Sequence, residues 1–104
     1  MAGVFLGNVV FVTAVTVNYD VNVTNTNTTQ EAFVTVPGVL PGDFVMVNKP
    51  SNSPGIGIVN ARVSAANTVG LTYGNFTAAG VNPSAENYLF CVIRPDSVTG
   101  TAQA

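Results

Sequence analysis

In this 104-residue chain the carboxylates and thiols that could act as acid, base, nucleophile or metal ligand are few: Asp20, Glu31, Asp43, Glu86, Asp96 and the single thiol of Cys91. There is no histidine. Most general acid–base and nucleophilic mechanisms rest on an imidazole, a carboxylate pair or an activated amine. Without histidine, Ser-His-Asp and Cys-His sites are excluded, as are the usual His-containing zinc sites, and one cysteine cannot complete a thiolate set. Two carboxylates facing each other across a cleft would make a glycosidase pair. Asp43, however, follows Pro41-Gly42, where a carboxylate satisfies turn amides. Glu86 precedes an alternating run and reads as a solvated charge or a partner for Arg62 or Arg94. No loop is rich enough in Asp to hold calcium. The expectation is a chain that is not an enzyme and needs no cofactor; a small carbohydrate-active enzyme rests on the carboxylates alone.

Binding is the other chemistry open to such a chain. Arg62 stands in the middle of Asn60-Ala61-Arg62-Val63-Ser64, where a lone cation among apolar residues faces solvent, a carboxylate or another chain. An intersubunit ion pair there would fix register more than it adds stability. Phe33, Phe44, Tyr73, Tyr88 and Phe90 fall in strand rows and read as core. Val4, Phe5, Leu6 and Phe11 lie near the start of the chain in an apolar arm with no obvious shield, a natural contact with another subunit. Tyr19, Tyr73 and Phe76 are the rings that a sugar-stacking platform would use. Cys91, alone in its chain, cannot form an internal disulfide and reads as a small apolar residue.

Composition narrows the field further. Apolar residues make up 47% of the chain and charged ones 8%, for a net charge of −2. A monomer of this mass exposes roughly 5,500 Å², and so few charges cannot decorate that area. Asn, Thr, Ser and Gly must cover the rest, or another protein must. Lys49, Arg62 and Arg94 are scattered and supply no footprint for nucleic acid or anionic lipid. Disorder is the wrong class for so apolar a sequence. The stretch Val4 to Val17 is short of the roughly 18 to 20 residues that span a bilayer and lacks a basic start. Its Val, Phe and Thr favour a buried strand, with a cleaved signal or membrane anchor as the alternative. The Asn-x-Ser/Thr triplets at Asn22, Asn27 and Asn75 arise readily by chance in a chain so rich in Asn and Thr.

The elements that must carry these residues are strands. No window of 11 or more residues has a helical period, whereas short β-branched and aromatic runs recur between Gly, Pro and Asn. Val9 to Tyr19 alternates, and since both its faces are apolar it should be central or covered by a partner. Thr24 to Gln30 reads as an exposed loop or tether. Ala32 to Val36 and Phe44 to Asn48 are strands joined by two Pro-Gly turns, and are expected to be neighbours in space. Ile56, Ile58, Ala61, Val63 and Ala65 share a face if a bulge lies near Asn60. Ala66-Asn67 turns the chain into the row Val69, Leu71, Tyr73. The last strand runs Asn87 to Arg94.

The expected fold is all-β: one antiparallel β-sandwich or jelly-roll-like barrel of about six to eight strands. Residues 1–30 form an N-terminal strand or arm with an Asn/Thr tether, open to intersubunit contact. Residues 31–96 form the sandwich core, and 97–104 a mobile tail.

Between Phe33 and Arg94 the phrases Val36-Pro37-Gly38-Val39-Leu40-Pro41-Gly42-Asp43, Ala61-Arg62-Val63-Ser64-Ala65-Ala66-Asn67-Thr68-Val69-Gly70-Leu71, Tyr73-Gly74-Asn75-Phe76-Thr77 and Tyr88-Leu89-Phe90-Cys91-Val92-Ile93-Arg94 carry a resemblance. Together they resemble small virion proteins of tailed bacteriophages, of the capsid cement or decoration type, including some from cyanobacterial phages. Related patterns occur in tail and fibre components. The resemblance implies a homotrimer seated on the outer capsid surface of the virion, with the major capsid protein as partner. It implies no catalytic residues, and the charge pattern adds the expectation of neither nucleic acid nor membrane as partner. A glycan- or host-binding β-module of a fibre or adhesin is the alternative function.

Overall fold

A computed structural model describes residues 9–21 and 26–96. Six strands follow one another without a helix among the described residues: β1 (Val9–Tyr19), β2 (Thr28–Thr35), β3 (Phe44–Asn48), β4 (Ile56–Ala65), β5 (Thr68–Asn75) and β6 (Glu86–Pro95). They form two antiparallel three-stranded sheets, in the orders β1-β6-β3 and β2-β5-β4. The chain is thus an all-β, β-sandwich-like domain.

Alternation decides which side chains enter the space between the sheets. From the first sheet come Tyr88, Phe90 and Val92 of the central β6, flanked by Val15 and Val17 of β1 and Val45 and Val47 of β3. From the second come Val69, Leu71 and Tyr73 of β5 and Val34 of β2, all fully buried. The expected row Val69, Leu71, Tyr73 is therefore the inner face of a central strand. Tyr73 and Tyr88 meet across the sandwich, hydroxyl to hydroxyl at 2.9 Å. Tyr19 closes on Tyr88 edge-on, with ring centroids 6.0 Å apart.

The phase change near Asn60 is a register shift between Ile58 and Asn60, which returns Ala61 and Val63 to the inside. Asn67 takes a left-handed backbone, φ 61°, at the β4–β5 turn, a conformation Asn tolerates better than most residues. Its backbone and side chain then stitch the hairpin tip to the Pro37-Gly38 loop. Asn67 N–H donates to Val39 O at 2.8 Å, Val36 N–H to Asn67 O at 2.9 Å, and Gly38 N–H to Asn67 Oδ1 at 2.7 Å.

Several expectations need correction. Thr28 to Gln30 are not loop: they extend β2 against Tyr73 to Asn75, as suits β-branched threonine. The expected boundary at residues 30/31 therefore falls inside a strand. The strands before and after the Pro-Gly turns do not pair: β2 lies in one sheet and β3 in the other, because the connection arches across the sandwich. Among the described residues β1 is an outer strand paired to β6, so of the two expectations for it the central position is not taken.

Candidate functional site

The fold separates the two outer faces of the sandwich by chemistry. Across the first sheet the register lines up Val12–Ile93–Phe44, then Ala14–Cys91–Met46, then Thr16–Leu89–Asn48. Val12 is 62% exposed, Phe44 65%, Met46 57% and Leu89 42%. Asn18 and Asn87 finish the face, bonded side chain to side chain at 3.0 Å. None of these residues is charged. Phe44 thus departs from its expected core position. Pairing Phe44 with Ile93 sends Val45 and Val47 inward, and a strand's two-residue period then sends Phe44 and Met46 out. On the β3–β4 side this face runs into an open concavity of about 510 Å³ lined by Phe44, Met46, Cys91 and Ile93 and also by the charged Asp43 and Arg62.

The second sheet's outer face is of another kind. Thr29, Glu31, Phe33 and Thr35 stand on β2, Thr68, Gly70, Thr72 and Gly74 on β5. Phe33 shares its row with Gly70 and Arg62 and is exposed, so it too leaves the core. Arg62 has a carboxylate partner within its own chain, Nε and Nη2 donating to Glu31 at 2.7 and 2.9 Å, while its side chain stays 55% exposed. Gly70 permits this, because a Cβ there would come within 2.2 Å of Glu31 Oε2. Gly70→Ala is expected to push Glu31 off Arg62 while leaving the sheet intact, since the clash is with the end of a flexible side chain. The bond to Arg62 holds the Glu31 carboxyl below its ordinary value. NMR titration of Glu31 should therefore show an upward move in the variant.

The other carboxylates are also bound. Arg94 donates to both oxygens of Asp43 at 2.8 Å and to Gly38 O at 2.8 Å. Asp43 Oδ2 accepts from Leu40 N–H at 2.9 Å, the turn-amide role expected of it. Glu86 is not the partner of Arg62 or Arg94; it pairs with Lys49 at 2.8 Å and accepts from Ser51 Oγ at 2.6 Å. Lys49 also reaches Ser51 O at 2.8 Å. Each of the three cations thus has its own carboxylate, and the hydrogen bonds from Arg62, Arg94 and Lys49 lower the acids of Glu31, Asp43 and Glu86 respectively. A glycosidase acid must hold its proton near neutrality, the opposite of what these three environments do. Among the described residues no three of His, Cys, Asp and Glu come together as metal ligands.

The sugar-stacking trio does not assemble. Tyr73 is fully buried, Tyr19 leans on Tyr88, and Phe76 lies exposed over Gly74 on the second sheet. Of the expected contact residues, Val4, Phe5 and Leu6 lie outside the described residues. Phe11 is placed only by its backbone, on β1 beside Arg94. The face that the fold does build, Val12, Phe44, Met46 and Leu89, is not among the expected contact residues. Alternation was visible in all three strands, but which phase faces out is set by pairing with β6.

No family model, no curated protein and no solved structure matches the chain.

Proposed function

We propose that the chain is a structural protein of a tailed-phage virion, a capsid cement or decoration protein that lays the outer face of its β1-β6-β3 sheet on the capsid lattice. One observation carries the reading: an uncharged outer face on which Val12, Phe44, Met46 and Leu89 lie open to water. Large exposed apolar patches mark docking surfaces, and burial yields about 25 cal/mol per Å² before ordering costs. Repeated at every seam of a shell, modest individual contacts would resist the pressure of packaged DNA. The bacteriophage-like phrases between Phe33 and Arg94 supply the second support, and the pairing of every Lys and Arg with a carboxylate fits a scaffold more readily than a catalyst.

The test compares complete particles with particles lacking this chain. Loss of the protein should lower the temperature and the osmotic shock at which DNA is released. Adding back the chain should restore both, and adding back the double variant Phe44→Lys/Met46→Lys, whose changes lie on exposed positions, should not. Equal resistance of the two kinds of particle overturns the reading. Saturable binding on a glycan array that depends on Phe76 would favour the adhesin class instead.

A further inference from the structure

Among the described residues the sandwich has four outer strands, and they are not equally guarded. Natural sheets blunt their edges with short strands, bulges, prolines and charges. β3 is five residues long, bounded by Asp43 and by Lys49-Pro50. β4 carries Arg62 and two register shifts, between Ile58 and Asn60 and between Val63 and Ala65. β3 and β4 also pack against each other, closing the sandwich on that side. β2 carries Glu31. β1 differs from all of these: 11 residues, no charge, no proline, no glycine, and one irregularity confined to its start between Val9 and Phe11. Its inner-face residues Thr13, Val15, Val17 and Tyr19 remain half-exposed, whereas their β6 neighbours Tyr88, Phe90 and Val92 are fully buried.

From this we infer that β1 pairs with β1 of a second copy, antiparallel about a twofold axis at Ala14, joining two β1-β6-β3 sheets into one of six strands. Self-pairing is favoured over other arrangements because a head-to-tail ring must seat β1 on a different edge, and each of the other edges is shorter and carries or adjoins a charged residue. About this axis Ala14 faces itself, Val12 faces the partner's Thr16 and Thr13 faces the partner's Val15. β-branched pairs of this kind stabilise a ladder, and no like charges meet. Asp20 lies beyond the strand end, so the axis keeps the two copies of it apart.

The area is adequate. Eleven residues at about 3.4 Å span about 37 Å, and with the β2 layer beside β1 also brought up to its copy, two layers about 10 Å apart give a side roughly 20 Å deep, hence at most about 700 Å² per protomer. A standard interface takes about 800 Å² per partner. The joined sheet would present one apolar outer face of double width. The arrangement is twofold, in place of the homotrimer that the phage resemblance implies, and it stands whether or not a capsid is the final partner.

The experiment is sedimentation of the full chain, unmodified and as A14K and A14E. Ala14 is exposed, so both variants should keep the wild-type circular dichroism. The unmodified chain should be a dimer with micromolar dissociation. Each variant should dimerise about fivefold more weakly, because it sets like charges face to face. An equimolar mixture of the two should recover a heterodimer near wild-type affinity. In the unmodified chain, β1 amides should gain protection from hydrogen exchange as concentration rises, while those of β3 and β4 should not. A monomer at all concentrations, a mass of three protomers, indifference to A14K, or failure of the mixture to recover would each overturn the inference. If both variants misfold, concentration-independent exchange at β1 does so.

Discussion

Phe90→Ala is expected to remove most of the stability of the fold. Phe90 sits fully buried at the centre of the first sheet, between Val15 on β1 and Val47 on β3. Its ring stacks on that of Tyr88 with centroids 6.4 Å apart and planes 19° from parallel. Phe-to-Ala changes in a core cost about 3–5 kcal/mol, through lost transfer energy and the cavity left behind. Domains of this kind are stable by about 5–15 kcal/mol in total. Here the surroundings cannot easily collapse, because β6 is hydrogen-bonded on both sides and its neighbours are held by two ladders. Urea unfolding should show a lower midpoint with an unchanged slope. A loss under about 1 kcal/mol would mean that the two sheets do not close over this ring.

Equally large is the expected response to pH, because its two limbs have different owners. Burial raises the Tyr73 phenol far above its ordinary value of 10.0, and the hydrogen bond it donates to Tyr88 adds to this. Tyr88 is raised by burial foremost, then by the charge of Glu86, against an opposing contribution from accepting that bond. A phenol whose pKa is higher in the fold than in the unfolded chain holds its proton more tightly when folded. Its stabilisation is complete below pH 10 and is lost as the pH climbs above that value. Glu31, Asp43 and Glu86 are lowered from ordinary values of 4.5, 3.8 and 4.5. Their contribution is complete above those values and is lost as the pH falls through the lowered ones. Stability should therefore be flat from about pH 5 to about pH 9 and fall on both sides.

The tyrosine pair allows the alkaline limb to be assigned. Tyr73→Phe strands the Tyr88 hydroxyl in the core and should cost about 1–3 kcal/mol. The double change Tyr73→Phe/Tyr88→Phe removes both polar groups and should recover much of that loss. It should also leave only a shallow alkaline limb, from Tyr19, which burial raises as well. An unchanged fall above pH 10 in the double variant would remove the pair from the account.

The strands themselves were legible because alternation is a local signal. β1 and β3 carry the expected bounds, and the bulge near Asn60 follows from two apolar half-rows out of phase. What a single strand cannot show is its partner. The Pro-Gly connection reads as a reversal, yet Arg94 holds Asp43 and Gly38 so that the chain arches to the other sheet instead. Phe33 and Phe44 read as core because they are large and apolar, but pairing with Gly70 and Ile93 turns them outward. The ion pairs were hidden for the same reason: Glu31 and Arg62 stand on strands that never touch, and meet only because Gly70 between them has no side chain.

The matching of Lys49, Arg62 and Arg94 with Glu86, Glu31 and Asp43 reaches beyond the fold. With its cations neutralised from within, the molecule has little long-range field to steer an approaching surface. Encounter should proceed at the slow pace of uncharged partners, about 10⁵–10⁶ M⁻¹s⁻¹, and depend weakly on ionic strength. Sulfate or phosphate at high concentration should tighten the contact rather than loosen it, since such salts favour withdrawal of hydrocarbon from water.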